Sequence, residues 1–392
     1  MLQGLLHLSL LQEIIVFLIA THITTVGVSV YLHRCQAHRA LDMNPVLAHF
    51  FRLYLWLTTG VSTRAWVAIH RKHHATCETI EDPHSPQILG LRKVLLEGAE
   101  LYRKEAKNSE TMERFSKGTP NDWLENKVYG GALGVSIMAV IDLLLFGVHG
   151  ITFWALQMMW IPFWAAGVVN GVGHYLGYRN FEIKDASRNI SPWGILMAGE
   201  ELHNNHHTFP NSAKLSVKRW EFDISWLYIR ILSALHLVKV NRTAPVPFLM
   251  SQPKAEIDVQ TIQAIVQCRY DLLSRYAREV LKPVLRSEWR KGLSRDGRLF
   301  KQCRAILLGA PDMALDQTSQ SKLESLLKSS RSLEKAYQMR AKLLALWENH
   351  SASPRELVDA LREWCKQAET SGIETLARFA EVLKRYNAKV LG

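Results

Sequence analysis

Cysteine is scarce in this sequence and forms no recognisable site. The five cysteines are Cys35, Cys77, Cys268, Cys303 and Cys365. Their number is odd, they are far apart, and no two form a C-x-x-C pair, so the pattern excludes a disulfide framework and a thiolate zinc site. We therefore expect the polar parts of the chain to face a reducing, cytoplasmic environment.

The motifs of several large enzyme classes are also missing. The sequence contains no H-E-x-x-H, no Walker A loop, no G-x-S-x-G and no dinucleotide-binding fingerprint. These absences exclude the usual zinc proteases, P-loop nucleotide hydrolases and α/β-hydrolases. No secretory signal is evident either, because residues 1–32 lack a basic segment and lead directly into a histidine motif. We expect the N-terminal helix to be retained.

Long apolar runs are confined to the first part of the chain. Residues 1–250 contain nearly all of them, whereas residues 251–392 contain none and carry most of the net charge of +12. This contrast predicts an all-α protein with two domains. Residues 1–250 would form an integral membrane helical domain with a histidine-rich cytoplasmic cap, and residues 251–392 would form a soluble helical extension. In the extension, Ser353-Pro-Arg-Glu356 and Ser371-Gly-Ile-Glu374 are predicted to be capping boxes at the starts of helices.

Three apolar segments are long enough to be membrane spans, namely 10–31, 131–148 and 150–173, and the last two read as a helical hairpin. Residues 45–63 are at the short limit for a span. A crossing there would place the first two histidine groups on opposite faces of the membrane, so we expect a re-entrant or interfacial helix instead. Basic residues flank the histidine groups, which predicts that the active site lies on the cytoplasmic face. We expect a multi-pass protein of a bacterial inner membrane.

The sixteen histidines are unevenly distributed, because most of them fall in three short motifs: His33-x4-His38, His70-x-x-His73-His74 and His203-x-x-His206-His207. His33 and His38 diverge on a regular helix, so we expect one of them to lie where the helix ends. Positions i, i+3 and i+4 lie on one helical face, so each H-x-x-H-H motif can direct three imidazoles towards one volume. The separate Asn170-Gly-Val-Gly-His174 element would add a ninth imidazole and an amide able to hold a metal-bound water. Nine imidazoles exceed what one zinc or copper ion takes, so the pattern predicts two metal ions. The candidate metal-site residues are His33, His38, His70, His73, His74, Asn170, His174, His203, His206 and His207.

Some of the histidines, and one glutamate near them, have alternative explanations. Isolated histidines are expected to have packing, interface or surface roles; they are His7, His22, His49, His149, His236 and His350. Glu200-x-x-His203 matches the E-x-x-H of carboxylate-bridged di-iron bundles, but no other segment offers the second copy that such a bundle needs. An all-histidine site is therefore expected. A non-enzymatic metal-binding or transport protein remains an alternative.

Four strings resemble the membrane fatty acid desaturases, specifically the acyl-CoA (stearoyl-CoA type) delta-9 group. They are HRCQAHRAL (33–41), AIHRKHHATCETIEDPHSP (68–86), NGVGHYLGYRNFE (170–182) and GEELHNNHHTFPNS (199–212). The resemblance covers roughly residues 10–240, although the family's usual Gly-Glu-Gly-Phe before the last motif is Gly-Glu-Glu-Leu here. It implies that the nine histidines ligate two Fe²⁺ ions, with Asn170 acting through a water.

The resemblance also implies the activity and its partners. The implied activity is oxygen-dependent desaturation of a long-chain acyl-CoA or lipid-linked acyl substrate. The implied partners are a separate ferredoxin- or cytochrome-type electron donor with its reductase, and a lipid bilayer. A di-iron hydroxylase of acyl or alkyl chains is the alternative within the same superfamily. Residues 355–386 faintly resemble the helical tail of one transposase group, but no aromatic-basic platform is present, so nucleic acid is not an expected partner. Aromatic candidates for an acyl tunnel are Trp56, Trp66, Trp154, Trp160, Phe163 and Trp164.

Overall fold

The computed structural model describes residues 4–291, 304, 306–309, 317–348 and 353–387. Its described part is mainly helical, as the sequence predicts, with six strands of two or three residues each. The chain divides into two compact units. The first comprises Met1–Arg179 and Asp185–Ala244, and the second comprises Asn180–Lys184 and Pro245–Gly392. His350 and Cys303 lie outside the described residues.

Eleven helices form the described part of the first unit. They are α1 (Leu10–Val26), α2 (Pro45–Thr59), α3 (Thr63–Thr76), α4 (Pro86–Leu89), α5 (Leu91–Glu105), α6 (Ser109–Phe115), α7 (Trp123–Lys127), α8 (Leu133–Phe146), α9 (Val148–Ile161), α10 (His203–Thr208) and α11 (Ile224–Ala234). Two π-helical segments extend this set, because Gly27–Ala37 continues α1 and Pro162–Val172 continues α9.

Within the part of the chain that the structure describes, two helices are long and apolar enough to cross a membrane by length and composition. They are Leu10–Ala37, with 28 residues, and Val148–Val172, with 25. The predicted span 131–148 instead forms α8, which has only 14 residues. At 1.5 Å per residue α8 is about 21 Å long, less than the roughly 30 Å of a bilayer's hydrocarbon core. The predicted spans 10–31 and 150–173 correspond to the two long helices.

The ambiguous segment 45–63 is not one helix. α2 ends at Gly60, whose φ of 68° is the left-handed conformation that glycine adopts at helix ends. α3 begins three residues later, with Ser62 as its N-cap. One side of α2 is buried through Phe51 and Leu55. A helix with one buried side and one exposed side fits the predicted interfacial helix. Its position in a membrane stays a prediction.

The π-helical segments lie where the ligand motifs begin. Gly27–Ala37 carries His33 and ends at His38, whose N–H donates to the His33 carbonyl over 3.1 Å. Residues five apart diverge on a regular α-helix, but the wider π-helical turn brings them to the same side. The two imidazole rings are therefore only 4.9 Å apart, centroid to centroid. Pro162–Val172 in the same way carries Asn170 and ends just before His174.

Short strands fasten the non-helical connections. β1 (Leu41–Met43) pairs antiparallel with β4 (Val238–Val240), and β2 (Trp193–Gly194) pairs parallel with β3 (Phe222–Asp223). β5 (Phe248–Leu249) pairs antiparallel with β6 (Tyr386–Asn387) in the second unit. The register of the first pair sets Leu41 opposite Val240. Strands this short tie loops together and form no sheet layer.

The second unit is a helical bundle with its own apolar core. Tyr276 and Trp364 lie inside it and donate to the carbonyls of Ala336 and Met339 over 2.7 and 2.8 Å. These bonds satisfy the polar atoms of two large buried aromatic side chains. Its described helices are α12 (Val259–Gln267), α13 (Arg269–Tyr276, continued by π-helical Ala277–Leu281), α14 (Lys282–Arg290), α15 (Gln317–Lys328), α16 (Arg331–Glu348), α17 (Pro354–Glu369) and α18 (Glu374–Lys384).

Candidate metal centre

The nine histidines singled out from the sequence converge in two adjacent groups, within each of which the ring nitrogens lie no more than 4.8 Å apart. The five-histidine group is His33, His38, His70, His74 and His206. The four-histidine group is His73, His174, His203 and His207. Segments more than 170 residues apart in sequence thus meet at one place, which is formed by α3, α10 and the segments that follow α1 and α9.

Each H-x-x-H-H motif divides its imidazoles between the groups, contrary to the expectation of one shared volume. His70 and His74 enter the five-histidine group, whereas His73 enters the other. At 100° per residue, positions i and i+4 differ by about 40°, whereas i+3 and i+4 differ by about 100° and point to different places. In the last motif His203 and His207 are likewise the pair that stays together.

The imidazoles face one another through their Nε2 atoms. In the five-histidine group the Nε2–Nε2 distances are 2.8 Å for His38–His70, 3.0 Å for His33–His206 and 2.8 Å for His74–His206. In the four-histidine group they are 3.0 Å for His174–His203 and 3.4 Å for His73–His207. Two nitrogens bound to one ion at about 2.1 Å and about 90° to each other would be about 3.0 Å apart. The donor sets therefore fit two metal ions.

Four carboxylates lie behind the imidazoles, and the sequence reading missed this role for all of them. Nδ1 of His73 lies 3.0 Å from Asp82, that of His174 lies 2.9 Å from Glu78, that of His207 lies 3.1 Å from Asp185, and that of His33 lies 2.8 Å from Glu200. A carboxylate in this position orients a metal-binding imidazole and makes it more basic. The signal for two of them was available, since Glu78 and Asp82 closely follow the second histidine motif.

The carboxylates also decide where the imidazole protons reside. A neutral histidine that donates Nδ1–H to a carboxylate has a lone pair on Nε2. His73 and His207 both donate in this way, so their Nε2 lone pairs face each other across 3.4 Å. Two lone pairs at this distance repel unless a cation lies between them. In these tautomers the two nitrogens could hold a cation between them.

Glu200 acts behind the ligands and lies outside both imidazole groups. One of its oxygens accepts from the Ser29 hydroxyl over 2.6 Å, and the other approaches His33 Nδ1 without hydrogen-bond alignment. The carboxylate-bridged arrangement that was considered for Glu200-x-x-His203 is therefore absent from the described residues, and the histidine donor set fits better.

Burial favours the neutral form of six of the grouped imidazoles. Loss of solvent, reinforced by neighbouring imidazoles, holds the pKa of six of these histidines well below its usual value. The six are His38, His70, His74, His203, His206 and His207. Burial acts to raise the pKa of Asp82, but His73 and His84 outweigh it and hold that pKa below its ordinary range. Neutral imidazoles and ionised carboxylates are the protonation states that metal binding requires.

His84 is a tenth histidine beside the groups, and the sequence reading gave it no role. It is buried, its ring lies 4.3 Å from that of His73, and its Nδ1 is 3.9 Å from the Asp82 carboxylate. Asp82 thus faces two imidazoles, of which only His73 belongs to a four- or five-histidine group. His84 contributes to the wall behind His73.

A largely apolar cavity of about 870 Å³ opens onto the groups. Asn170, the one predicted site residue that is not a histidine, lines it together with His33, His70 and His203. Of the six aromatic residues named as tunnel candidates, Trp66 and Trp154 line the cavity, and the other four do not. Trp154 also donates to the Val135 carbonyl over 2.8 Å, which fixes its ring between α9 and α8.

Arg34, next to His33, is an internal anchor. Its side chain is fully buried and forms two hydrogen bonds to Asp223, of 2.9 and 3.1 Å. It also donates to the carbonyls of Ala213 and Ala198. Asp223 in turn accepts from the N–H of Trp226 at the start of α11. The pair therefore joins the π-helical segment that carries His33 to the region after the last histidine motif.

Comparison with known proteins identifies the family that this chain matches. Residues 11–236, more than half of the 392, match the family model described as fatty acid desaturase. This range contains all nine grouped histidines. A second model, described as transposase, matches residues 273–392.

Individual relatives match the same part of the chain. The sn-1 stearoyl-lipid 9-desaturase of Synechocystis sp. is 29% identical over 56% of this chain and 68% of its own length. The sn-2 palmitoyl-lipid 9-desaturase of Nostoc sp. is 28% identical over 56% and 78%. A hex-5-enoyl-[acyl-carrier protein] acetylenase of Moorena producens is 28% identical over 55% and 72%. The chain belongs to the fatty acid desaturase family, whose members are oxidoreductases of lipid metabolism.

Proposed function

We propose that this protein uses O2 to introduce a cis double bond, of the delta-9 type, into a long-chain acyl group, with two iron ions held by its histidines. The observation that carries the proposal is the convergence of nine Nε2-presenting imidazoles in two groups beside an apolar cavity. The delta-9 desaturases among its relatives support the position of the double bond.

Each of the two histidine groups would bind one iron ion. The five-histidine group would hold one iron, and the four-histidine group would hold the other together with Asn170 acting through a water. When bound, the two irons supply the O2-derived oxidising power that an unactivated methylene requires and that no side chain possesses. The carboxylates hydrogen-bonded to His73, His174 and His207 would keep these imidazoles turned towards the ions.

The cavity would bind and position the acyl chain. Its volume lies within the roughly 300–1,000 Å³ that is usual for small-molecule sites, and its lining includes Trp66, Ile69 and Val169. An extended chain held there is kept from water and presents one stretch of methylenes to the histidine groups. Position along the chain then decides which carbon–hydrogen bonds react.

We propose a lipid-linked acyl substrate. Two of the three relatives described above are named as acyl-lipid desaturases, whereas none of the three is named for a CoA ester. The acyl-CoA expected from the sequence is the competing carrier. Incubation with phosphatidylglycerol carrying labelled stearate, and separately with labelled stearoyl-CoA under conditions that block acyl transfer, distinguishes the two. Product from the CoA ester alone would contradict the lipid-linked carrier.

The apolar helices and the basic residues also bear on where the protein lies in the cell. The two long apolar helices support a multi-pass membrane protein. We propose that the protein lies in a bacterial inner membrane with its histidine face in the cytoplasm; the flanking basic residues support this orientation. The reaction needs two external electrons per turnover, which a separate ferredoxin- or cytochrome-type donor and its reductase would deliver.

Mass spectrometry of fatty acids tests the proposed activity. The full-length protein, expressed with a donor system in a bacterium that lacks delta-9 products, should yield cis-9 monounsaturated acids. His206→Ala should abolish them and lower the bound iron. His49→Ala, which removes an exposed histidine outside both groups, is the matched control and should leave both unchanged. Hydroxy acids without unsaturation would favour the hydroxylase alternative, and no new product would contradict the proposal.

A further inference from the structure

Helix α11 exposes a row of large apolar side chains. Leu227 and Ile231, within the helix, and Leu235, its C-cap residue, are 47, 50 and 61% exposed. They are spaced four residues apart, so they lie next to one another along one side of the helix. We name these three residues the α11 apolar face. Contiguous exposed apolar surface usually marks a site of contact with protein or lipid.

The opposite side of α11 is fixed within the first unit. Ser225 and Ile229 are fully buried. The Asp223 side chain caps the helix by accepting from the N–H of Trp226 over 3.0 Å. The helix cannot turn its apolar face inwards without breaking these contacts, so the face stays at the surface of the first unit.

The position of α11 beside α1 indicates a lipid surface as the occupant of this face. Nε2 of His22, in α1, lies 2.9 Å from the Tyr228 hydroxyl. The exposed apolar side chains of α1 extend from Leu10 to Ile19, and the first buried residue after Ile19 is Thr21. α11 therefore meets this candidate membrane span where the exposed apolar surface of the span ends. That is the level expected of the boundary between the bilayer and water.

The segment beside the start of α11 adds side chains that membrane interfaces favour. Trp193, Ile195 and Leu196 are exposed, and so is Trp220. The pairing of β2 with β3 places the first of these next to Asp223, the N-cap of α11. Exposed tryptophans are enriched where a protein meets the headgroup level of a bilayer.

The exposed charge around α11 has one sign. Between residues 211 and 242 every charged side chain that is exposed is basic, whereas Glu221 and Asp223 are buried. The exposed basic residues are Arg219, Arg230, Lys239 and Arg242. Basic side chains beside an apolar surface are attracted to anionic lipid headgroups. The charge therefore favours a lipid surface as the occupant.

We propose that α11 lies in the plane of the membrane at its surface, with the α11 apolar face in the lipid and the neighbouring basic side chains among anionic headgroups. The helix has 11 residues, about 16 Å at 1.5 Å per residue, so it is too short to cross a hydrocarbon core of roughly 30 Å. The inference rests on the proposed membrane location and is independent of the proposed chemistry. It makes α11 a second interfacial helix, besides the one predicted within residues 45–63.

Fluorescence quenching of the full-length protein in lipid vesicles tests the inference. Leu227→Cys, Ile231→Cys and Leu235→Cys, made one at a time, are labelled with a thiol-reactive fluorophore and reconstituted into vesicles of phosphatidylglycerol and phosphatidylcholine. The quenchers are phosphatidylcholine brominated near the headgroup, phosphatidylcholine brominated near the chain end, and aqueous iodide. An interfacial helix buries its apolar face about 5–10 Å into the boundary between headgroups and acyl chains. All three labels should therefore be quenched most strongly by the shallow bromolipid, and to the same extent.

Two controls and a change of lipid complete the experiment. Wild-type protein treated in the same way corrects for label on the native cysteines. Glu110→Cys, at an exposed position on the polar helix α6, should be quenched by iodide and by neither bromolipid. In vesicles of phosphatidylcholine alone, the labels of the α11 apolar face should become more accessible to iodide, because the basic side chains lose their anionic partners. Unchanged accessibility would overturn the part assigned to the basic residues.

The depth of the three labels separates the possible arrangements. Leu227 and Leu235 are eight residues apart, about 12 Å along a helix, so deep quenching at one and shallow quenching at the other would contradict an in-plane helix. Quenching of all three labels by iodide alone would place the face in water. Protection from every quencher would mean that protein covers the face, and either result would overturn the inference.

A label in α1 tests the membrane location separately. Leu18→Cys lies in the exposed apolar part of α1 and should be quenched by the deep bromolipid. If neither bromolipid reaches this label, the proposed membrane location is wrong, and the inference about α11 is wrong with it. If the deep bromolipid reaches Leu18→Cys but no bromolipid reaches the α11 apolar face, only the inference about α11 is wrong.

Discussion

Asp82 illustrates how much of the candidate centre rests on single side chains behind the ligands. Its carboxylate is completely buried and accepts from Nδ1 of His73 over 3.0 Å. It also accepts from the backbone N–H of Glu78 and of His84, each over 3.1 Å. The carboxylate thus orders the turn after α3 and fixes the orientation of a candidate ligand at the same time.

Asp82→Asn should weaken the four-histidine group without changing the size of the side chain. The neutral amide replaces a charge-assisted acceptor, so His73 becomes a poorer and less constrained ligand. We expect an iron affinity about 10- to 100-fold lower, measured by competition with a chelator. Asp42→Asn, at an exposed position in β1, is the control and should retain full affinity. Unchanged affinity in Asp82→Asn would contradict the role assigned to this carboxylate.

Arg34 and Asp223 form a buried ion pair whose disruption should cost stability. Their side chains are 1% and 0% exposed. Arg34→Met leaves the Asp223 carboxylate buried without its main cation, which typically destabilises a protein by about 3–5 kcal/mol. We expect a markedly lower thermal midpoint for the detergent-solubilised protein.

The control for Arg34 is an exposed arginine in an ion pair. Arg378 is 67% exposed and pairs with Glu374 one helical turn away, so Arg378→Met should cost no more than about 0.5 kcal/mol. Equal midpoints for the Arg34 and Arg378 variants would show that the buried pair contributes little.

At the scale of elements, the sequence contained a signal for a π-helical segment, but it did not predict one. Its signal was the His33-x4-His38 spacing, which a regular helix cannot direct to one side. The sequence reading resolved the conflict by placing one histidine at the helix end, and His38 is indeed the residue that follows Ala37 at the end of the segment. The wider turn before it was not foreseen, because apolar periodicity does not distinguish an α-helical from a π-helical turn.

Of the two capping boxes predicted in the second unit, one is confirmed and one is wrong. The capping box predicted at Ser353–Glu356 is present, with reciprocal side-chain and backbone bonds at the start of α17. The one predicted at Ser371–Glu374 is wrong, since α18 has Ile373 at its N-cap. The Ser371 hydroxyl instead donates to the Ala368 carbonyl and accepts from the N–H of Ile373. The tight turn after α17 takes the serine before the next helix can use it.

Ser353→Ala should therefore destabilise α17. Loss of an N-cap serine usually costs about 1 kcal/mol, and we expect faster amide hydrogen exchange in Pro354–Glu369. Ser325→Ala, at an exposed position inside α15, should be neutral or slightly stabilising, because alanine is the better helix former. Equal exchange in α17 for both variants would contradict the capping role.

At the scale of the whole molecule, the two units differ in what stabilises them. The second unit has a continuous apolar core formed by its helices. The first unit brings nine imidazoles together at one place, where their Nε2 atoms face one another. An occupied metal centre would therefore add to the stability of the first unit in particular.

Removal of metal should lower the stability of the first unit. After treatment with a chelator, we expect faster amide hydrogen exchange in α3 and α10, which carry six of the grouped histidines. Exchange in α17 should change much less. Fe²⁺ should restore the protection, whereas Mg²⁺ should not, because it prefers oxygen ligands to imidazole. Identical exchange with and without metal would contradict a metal-stabilised centre.

The sequence by itself determined the helical character, the nine clustered histidines and the apolar segments. These features follow from spacing along one chain, and helical periodicity converts spacing into direction locally. The tertiary structure decided which imidazoles share a group, which carboxylates stand behind them, and that Asn180–Lys184 belongs to the second unit. These depend on contacts between segments far apart in sequence, such as His33 with His206, and no local pattern specifies them.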